Sequence, residues 1–258
     1  MEKVLEMNCM AKLELHIQSD GELAFQMSSL FHGVLMEILP EDYAEYLHQS
    51  GLHPFSQHLE KRQEKWYWVI CCLNETARDI IIKKALWDLK QFPLKRQQQK
   101  IEILDKKYTE CTYKELMDSF YGEKDSKYIQ VRFNSPTAFK SQGQYVFYPE
   151  LKYVFQSLMN RYDAALEEDA MRDQETLEQL CNNAKIIRYD LRSVSFSLEG
   201  VKIPAFMGDI TIKMNGTQTM ANFAKMLFIF GTYAGVGIKT SLGMGSIQLI
   251  QRKGGSTC

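Results

Sequence analysis

The stretch Phe230-Gly-Thr-Tyr-Ala-Gly-Val-Gly-Ile-Lys-Thr-Ser-Leu-Gly-Met-Gly245 contains a dense set of the chain's glycines. Two G-x-G pairs enclose a lysine and two hydroxyl residues, and in order they read Gly235, Gly237, Lys239, Thr240, Ser241, Gly243 and Gly245. Glycine is entropically costly to order, so this density indicates positive φ angles or a close approach of the backbone to a ligand. Backbone N–H groups, a lysine and hydroxyls all bind phosphate oxygens. This glycine loop (residues 235–245) therefore points towards a polyanion.

The glycine loop differs from the two familiar nucleotide-binding motifs. The dinucleotide motif G-x-G-x-x-G leaves a strand and opens a helix, whereas here an apolar helical segment, 220–230, comes first and a strand-like run, 246–250, follows. The P-loop pattern G-x-x-x-x-G-K-[ST] is absent from the sequence. Two interpretations stay open. The loop is either a tight helix-to-strand connection or a phosphate-binding loop, and the doubled pattern with its central lysine favours the second.

The apolar pattern outside the loop predicts alternating strands and helices in both halves of the chain. In the first half the predicted elements are strand 11–17, helices 27–38 and 40–48, strand 66–73, helix 77–89 and strand 99–104. In the second half they are a strand pair at 128–133 and 144–148, helix 151–159, strands 186–198 and 205–214, helix 220–230 and strand 246–250. The order β-α-β-β-α-β is the ferredoxin-like signature. We predict an α+β protein of two tandem ferredoxin-like (RRM-like) domains, residues 1–122 and 123–258, with the glycine loop before the last strand.

Composition places the chain among globular proteins, with 45% apolar and 12% aromatic residues in 258 positions. The N-terminus lacks the long apolar core of a signal peptide, and the longest apolar run is too short for a bilayer, so we expect a cytoplasmic protein without membrane contact. The six cysteines form no C-x-x-C pair. They are typical of reduced core residues and favour neither a zinc site nor a disulfide framework.

Charge is unevenly distributed along the chain, although its net value is only −1. A near-neutral protein is not a generic, salt-driven nucleic-acid binder. However, the chain from residue 210 onwards carries five basic and no acidic residues, and the segment 126–149 contains Lys127, Arg132 and Lys140 without an acid. This asymmetry predicts a polyanion-binding surface built mainly from the second half.

All five histidines lie in the first quarter of the chain: His16, His32, His48, His53 and His58. Imidazole is the side chain best suited to proton exchange near neutral pH. His32, His48 and His53 flank or lie within the first helical region, so the fold can bring them together. No G-x-S-x-G or H-E-x-x-H motif occurs, and no pair has the usual helical spacing of metal ligands. We therefore expect no metal; for any single histidine, a structural role is the alternative.

Several parts of the sequence together resemble the CRISPR repeat RNA-processing endoribonucleases, the Cas6 type of repeat-associated RNA-binding proteins. They are the glycine loop, the two-domain pattern, the segment Tyr43-Ala-Glu-Tyr-Leu-His-Gln-Ser-Gly-Leu-His-Pro-Phe-Ser56, and Asn134-Ser-Pro-Thr-Ala-Phe-Lys-Ser-Gln-Gly143, which fits the RNA-facing hairpin of that family. The resemblance spans nearly the full length. It implies cleavage of precursor CRISPR RNA within the repeat, without a metal or other cofactor. The ribose 2′-hydroxyl attacks the phosphate and leaves 2′,3′-cyclic phosphate and 5′-hydroxyl ends.

The resemblance also implies roles for individual residues. His48 follows Tyr46-Leu47 at the end of the second short helix, where the family has its general acid or base. His32 corresponds, with a shift of one residue, to a second catalytic group, and His53 stands where some members have a lysine. The residues expected to bind RNA are Lys140, Arg132, Gly235, Gly237, Lys239, Thr240, Ser241, Gly243 and Gly245.

Two other functions compete with the endoribonuclease. A non-catalytic RNA-binding or assembly subunit of a CRISPR effector complex would share the fold and the glycine loop but would not need His48 beside a second imidazole. A generic single-stranded RNA binder would carry paired aromatics on its sheet, and its motif K/R-G-F/Y-G/A-F-V-x-F/Y is absent. The expected partner is CRISPR repeat RNA, with homodimerisation and incorporation into an effector complex left open.

Overall fold

The computed structural model describes residues 8–121, 126–166, 173–198 and 200–250. Its first sheet is antiparallel, with strand order β2-β3-β1-β5-β4. The strands are β1 (Cys9–Ser19), β2 (Phe55–Arg62), β3 (Lys65–Cys72), β4 (Gln91–Leu94) and β5 (Gln99–Thr112). The helices of this half are α1 (Ser28–Ile38), α2 (Glu41–Gln49) and α3 (Glu75–Ala77), which continues into a π-helix (Arg78–Leu86). Two 3₁₀ turns, Phe25–Met27 and Lys95–Gln97, complete it.

The second sheet is also antiparallel, with strand order β11-β6-β10-β9. Its strands are β6 (Tyr128–Thr137), β9 (Ala184–Leu198), β10 (Val201–Met214) and β11 (Ile247–Leu249), and a separate hairpin pairs β7 (Phe139–Ser141) with β8 (Gln144–Val146). Its helices are α4 (Tyr113–Tyr121), α5 (Leu151–Leu166), α6 (Gln174–Asn183) and α7 (Gln218–Ala234). The glycine loop, with a 3₁₀ turn at Thr240–Leu242, lies between α7 and β11.

The two sheets share one topology. In each, the first strand lies between the third and the last strand, and the second strand pairs with the third: β2-β3-β1-β5 in one and β9-β10-β6-β11 in the other. This is the ferredoxin-like arrangement, so the predicted fold class is confirmed. Strand β4 is an addition at the edge of the first sheet. The predicted domain boundary at residues 122 and 123 lies outside the described residues and stays a prediction.

The alternation of apolar residues along the strands explains how the core of the first half forms. Along β1 the residues Ala11, Leu13, Leu15 and Ile17 are fully or almost fully buried, while the residues between them face the other side of the sheet. The helical side of the sheet is filled by aromatic residues. The Phe31 ring of α1 meets the Trp68 ring of β3 at a centroid distance of 5.2 Å, in the edge-to-face geometry that aromatic pairs prefer.

Helix α4 follows the last long strand of the first sheet but packs into the core of the second half. The Tyr113 ring lies 5.6 Å from the Tyr162 ring of α5 and 6.4 Å from the Phe230 ring of α7. The Tyr113 hydroxyl donates a 2.7 Å hydrogen bond to the Leu73 carbonyl oxygen, which follows β3. This helix therefore ties the two halves together through a buried contact.

The structure corrects the predicted elements in two places. The strand Phe55–Arg62 has no counterpart in the prediction, because its first five residues are all buried and no alternation marks it. The predicted pairing of 128–133 with 144–148 is wrong. Strand β6 pairs with β10 and β11, and the hairpin partner of residues 144–146 is β7. Strand β4 and helices α4 and α6 were also absent from the prediction.

The described cysteines are all free thiols, as expected for a reduced protein. Cys9, Cys71 and Cys72 are buried, and Cys111 and Cys181 are half-buried. Within the described residues, no helix has both the length and the apolar character needed to cross a membrane.

Candidate active site

Three of the five histidines converge at one end of the first sheet. His32 lies on α1, His48 in the last turn of α2, and His53 just before β2. The His32 and His53 rings stack at a centroid distance of 6.2 Å with an angle of 12°, and His53 also stacks on Phe55 at 5.5 Å. We call His32, His48 and His53 the histidine cluster.

Local folding explains how each ring reaches this position. On α1, Phe31 and Leu35 point into the core, which leaves the neighbouring His32 half-buried at the edge of the helix. On α2, Tyr43 and Leu47 are buried, which places His48 on the exposed side of the last turn. Helix α2 begins after a proline and has two acidic residues in its first turn, where the helix dipole favours negative charge.

Burial and nearby positive charge keep the His32 and His53 rings neutral. Burial, and then the nearby charges of His53 and His48, lower the pKa of His32 to about 4, and a hydrogen bond with the Ser241 backbone acts in the opposite direction. The pKa of His53 is also lowered, by burial first and then by the charge of Arg161. At neutral pH both rings are therefore predominantly in the form that accepts a proton.

Arg161 is a buried cation behind this cluster. It is only 4% exposed, and within the described residues its Nε and Nη2 atoms have no hydrogen-bond partner. Burial lowers the pKa of its guanidinium to about 10, which still leaves it charged at neutral pH. A fixed positive charge beside His53 disfavours protonation of that ring.

The histidine cluster borders an open cleft of about 570 Å³. His32 and His48 line it on one side, and Lys239 and Leu242 of the glycine loop line another. Gly33 of α1 is part of the same surface, and a Cβ atom added there would meet no atom within 4 Å. The backbone of α1 is thus accessible between the two histidines. We call this space the histidine cleft.

The glycines of the loop are needed for close packing within the protein itself. Gly237, Gly243 and Gly245 have φ angles of 82°, 109° and 74°. A Cβ atom would lie 2.3 Å from the Ala138 carbonyl oxygen at Gly237 and 2.1 Å from the Ser28 Cβ at Gly243. Gly235 also has a positive φ angle, of 71°. The loop is therefore held against the β6–β7 connection and against the start of α1.

Most amides of the loop are already bonded, which leaves a short run of available donors. The Gly237 amide donates to Ser157 Oγ at 2.8 Å, and the Gly245 amide donates to the Pro136 carbonyl oxygen at 3.0 Å. The amides of residues 239–241 donate to no acceptor in the described part of the chain. Lys239 is exposed and adopts a left-handed conformation, with φ 55°. Thr240 and Ser241 have buried side chains.

The remaining predicted residues lie elsewhere. Arg132 forms a two-pronged ion pair with Asp209, with both N–O distances at 2.7 Å, beside a second cleft of about 400 Å³. Lys140 is exposed on β7. His16 stacks on Tyr67 at 5.3 Å, and His58 Nε2 lies 3.1 Å from Ser246 Oγ; both belong to the sheet face away from α1. Among the described residues, no three His, Cys, Asp or Glu side chains are grouped so as to hold a metal ion.

Two contributors to the site are absent from the prediction. The turn Lys95–Gln97 between β4 and β5 lines the histidine cleft and brings Lys95 and Arg96 to it. The basic pair is visible in the sequence, but its position depends on the edge strand β4, which was not predicted. The second contributor is Gln57, a buried amide on β2 that contacts the glycine loop.

Comparison with known proteins identifies the family of the chain. The profile of the family described as CRISPR-associated endoribonuclease Cas6 matches residues 131–247. The chain is 36% identical over 248 residues to the CRISPR-associated endoribonuclease Cas6 of Streptococcus thermophilus, covering 95% of this chain and all of that one. It is 29% identical to the Cas6 of Mycobacterium tuberculosis (strain CDC 1551 / Oshkosh), covering 93% of this chain and 78% of that one.

Among solved structures, a Cas6 (TTHA0078) product complex superimposes with a TM-score of 0.78 at 21% identity, covering 94% of this chain and all of that one. That likeness concerns the fold, whereas the identity to the Streptococcus thermophilus protein extends through nearly the whole sequence. On that evidence the chain belongs to the Cas6 family of CRISPR-associated endoribonucleases.

Proposed function

We propose that this protein is an endoribonuclease that binds precursor CRISPR RNA and cleaves it within the repeat. The observation that carries the proposal is that two imidazoles, His32 and His48, and the glycine-loop lysine Lys239 line a single open cleft, with a third imidazole, His53, stacked on the His32 ring. Its relatives from two bacteria are named as endoribonucleases of this kind, and structural neighbours were solved as product and substrate-mimic complexes.

The cleft contains the groups that attack by a ribose 2′-hydroxyl requires. One group must take the 2′-hydroxyl proton, another must give a proton to the leaving 5′-oxygen, and a positive charge must stabilise the phosphorane. His32 is neutral at pH 7 and therefore able to accept a proton. A bound RNA phosphate would add negative charge beside the ring and raise its basicity. We assign His32 to the base and His48, exposed at the mouth of the cleft, to the acid.

His53 supports His32 and His48 and lies next to the His32 ring. Its ring stacks on both the His32 ring and the Phe55 ring, and it stays neutral beside the buried Arg161. A positive charge on His53 would repel a protonated His48. A neutral His53 therefore favours the single positive charge that the general acid requires. We assign His53 to this supporting role.

The glycine loop is proposed to bind the scissile phosphate. Lys239 provides the charge, and its own backbone amide, which has no acceptor in the described part of the chain, provides a donor at the start of the 3₁₀ turn. Because Thr240 and Ser241 are buried as whole residues, a phosphate would meet this turn at the exposed Lys239 and not at the two hydroxyls. Lys140 and Arg132 are proposed to contact more distant parts of the RNA.

The bonds and protons of the proposed reaction balance without a metal ion. The 2′-oxygen forms a bond to phosphorus, the bond from phosphorus to the 5′-oxygen breaks, and one proton passes to the base while another leaves the acid. The products are a 2′,3′-cyclic phosphate and a 5′-hydroxyl end. The repeat RNA is the proposed partner; homodimerisation, an effector complex and a cytoplasmic location remain predictions.

The decisive experiment is cleavage of a labelled CRISPR repeat RNA in excess chelator. A matched substrate carries a single 2′-deoxy at the cut site, and the ends of the product are identified by mass spectrometry. We expect the native RNA to be cut and the deoxy RNA to be protected. Tight binding with no cleavage of the native RNA, with or without added divalent metal, would instead place the protein among non-catalytic subunits. Loss of cleavage in chelator alone would contradict metal independence.

A further inference from the structure

One buried side-chain amide connects the two sides of the histidine cleft. Gln57 of β2 is 1% exposed. Its Nε2 atom donates to the Ser28 carbonyl oxygen and to the Ser241 carbonyl oxygen, both at 2.9 Å. Its Oε1 atom accepts from Trp68 Nε1, also at 2.9 Å. Both donor hydrogens and the acceptor of the amide are therefore used, and each bond is fully buried.

The two carbonyl groups belong to the elements that carry the proposed chemistry. Ser28 is the first residue of α1, and His32 follows it by one helical turn. Ser241 lies two residues after Lys239, and the Ser241 backbone hydrogen-bonds the His32 ring. A single amide nitrogen thus holds the backbone of the histidine helix and the backbone of the glycine loop at one fixed separation.

Neighbouring contacts show that this junction is closely packed. Ser28 Oγ donates to the Phe25 carbonyl oxygen at 2.7 Å and accepts from the Leu59 amide at 3.1 Å. A Cβ atom at Gly243 would collide with Ser28, so the loop approaches the start of α1 as closely as a glycine allows. Small displacements at such a junction move the loop as a whole, because the surrounding atoms leave no room for independent adjustment.

We propose that Gln57 is a positioning residue that sets the distance between His32 and the Lys239 turn. The proposal rests on the proposed function, since the separation matters only if both sides act on one phosphate. Glutamine is the side chain suited to this place. It offers two donors on one nitrogen, an acceptor for Trp68 and no charge to desolvate, whereas methionine has the same reach and offers no donor.

The test compares Gln57→Met with Trp68→Phe. The first variant removes the bonds to both carbonyl groups. The second removes the third bond of the same amide and opens a gap in the same core, but it leaves both carbonyl bonds in place.

We expect Gln57→Met to lower the single-turnover cleavage rate about ten- to a hundredfold, because a displacement near 1 Å between reacting groups has this effect. RNA affinity should change less than about threefold, since it is spread over many phosphate contacts. Trp68→Phe should cleave within about threefold of the wild-type rate.

A second readout does not depend on cleavage. The side-chain NMR signals of His32 should shift in Gln57→Met, because the ring loses its fixed partner at Ser241, and should stay in place in Trp68→Phe. Should Gln57→Met fail to fold, Gln57→Glu keeps an acceptor for Trp68, removes at least one donor and carries the same expectation. Equal cleavage rates in the Gln57 variant and the wild type would overturn the proposal, as would equal losses in both variants. If the wild-type protein itself does not cut RNA, the proposed function fails, and the His32 signals alone decide the role of Gln57.

Discussion

The histidine cluster and the glycine loop face the same cleft but are built in different ways. His32 projects from within α1, His48 from the last turn of α2, and His53 precedes β2, and the proposed chemistry depends on these side chains. In the glycine loop, Thr240 and Ser241 are buried, Lys239 is exposed, and the amides of residues 239–241 have no acceptor in the described part of the chain. One side of the cleft therefore depends on side-chain identity, and the other depends on backbone shape.

This difference explains why the loop contains so many glycines. A polyanion-binding loop is often expected to use glycine so that the ligand can approach. Here the close approach is to the protein: Gly237 lies against Ala138, and Gly243 lies against Ser28. The two original interpretations of the loop are thus compatible, because a tight helix-to-strand connection is what leaves the amides of residues 239–241 without an acceptor in the described structure. The predictions below test each side of the cleft separately.

The largest effect is expected at the histidine cluster. His48→Ala should lower the single-turnover rate of repeat RNA cleavage by about 10²- to 10⁴-fold, the usual contribution of a general acid or base. RNA binding should be nearly unchanged, because His48 is one exposed side chain of a large surface. The matched control is His16→Ala, which removes an imidazole from the opposite face of the sheet and should cut RNA at the wild-type rate. Cleavage by His48→Ala at the wild-type rate would refute the assignment.

The next effect tests whether backbone shape matters on the loop side. Gly243→Ala places a Cβ atom 2.1 Å from the Ser28 Cβ atom at a φ angle of 109°, so we expect a loss of about 1–3 kcal/mol in stability. Displacement of the loop should also slow cleavage about tenfold or more. Gly200→Ala is the control, because its φ angle of 82° imposes similar strain while the added atom meets open space. Equal cleavage by both variants would show that the loop's position is unimportant.

A smaller effect separates the exposed lysine of the glycine loop from an arginine that is held in an ion pair. Lys239→Ala should weaken RNA binding roughly three- to tenfold and reduce the salt dependence of binding by about 0.7 in the logarithmic slope, the value for one phosphate contact to a single strand. Arg132→Ala should have a weaker effect on both, because Asp209 already neutralises its guanidinium. Binding and its salt dependence are measured by fluorescence anisotropy from low to high salt. A larger loss in Arg132→Ala than in Lys239→Ala would contradict this ranking.

Sequence patterns anticipated the fold where one face of an element is buried and the other is not. Strand β1 and helix α1 show this alternation, and both were predicted close to their observed bounds. Strand β2 was missed for the opposite reason. Its residues Phe55 to Leu59 are buried on both faces, since α7 covers the side away from α1, as the bond from Ser56 Oγ to the Tyr233 carbonyl oxygen shows.

The candidate site likewise contains some residues that the sequence indicated and others that it did not. Residue type and grouping indicated the histidines and Lys239, because imidazoles and lysines next to glycines have few structural substitutes. Gln57 carries no such signal: a glutamine in a strand is ordinary until the fold places two backbone carbonyl groups beside it. The hydroxyls of Thr240 and Ser241 were expected to face a ligand, but the loop buries these side chains, and only tertiary packing decides that.

The smallest effect concerns the pH dependence of the free energy of unfolding, and it tests whether the His32 ring is buried. The pKa of His32 is about 4 in the folded protein and 6.5 in the unfolded chain, so between these values only the unfolded chain binds the proton. Stability should therefore be highest above about pH 6.5 and fall as the pH drops towards 4. The loss at pH 5 should be on the order of 1 kcal/mol after a discount for the partial exposure of the ring.

His32→Phe removes this titration and keeps a flat ring stacked against both His53 and Phe55. The free energy of unfolding, measured in urea at pH 7 and at pH 5, should then depend less on pH than in the wild-type protein, by about the same amount. NMR titration of the wild-type His32 ring provides the direct check. An equal pH dependence in both proteins, together with a His32 that titrates near its ordinary pKa, would show that the ring is solvated. The basicity of His32 would then depend on the bound RNA and not on burial of the ring in the folded protein.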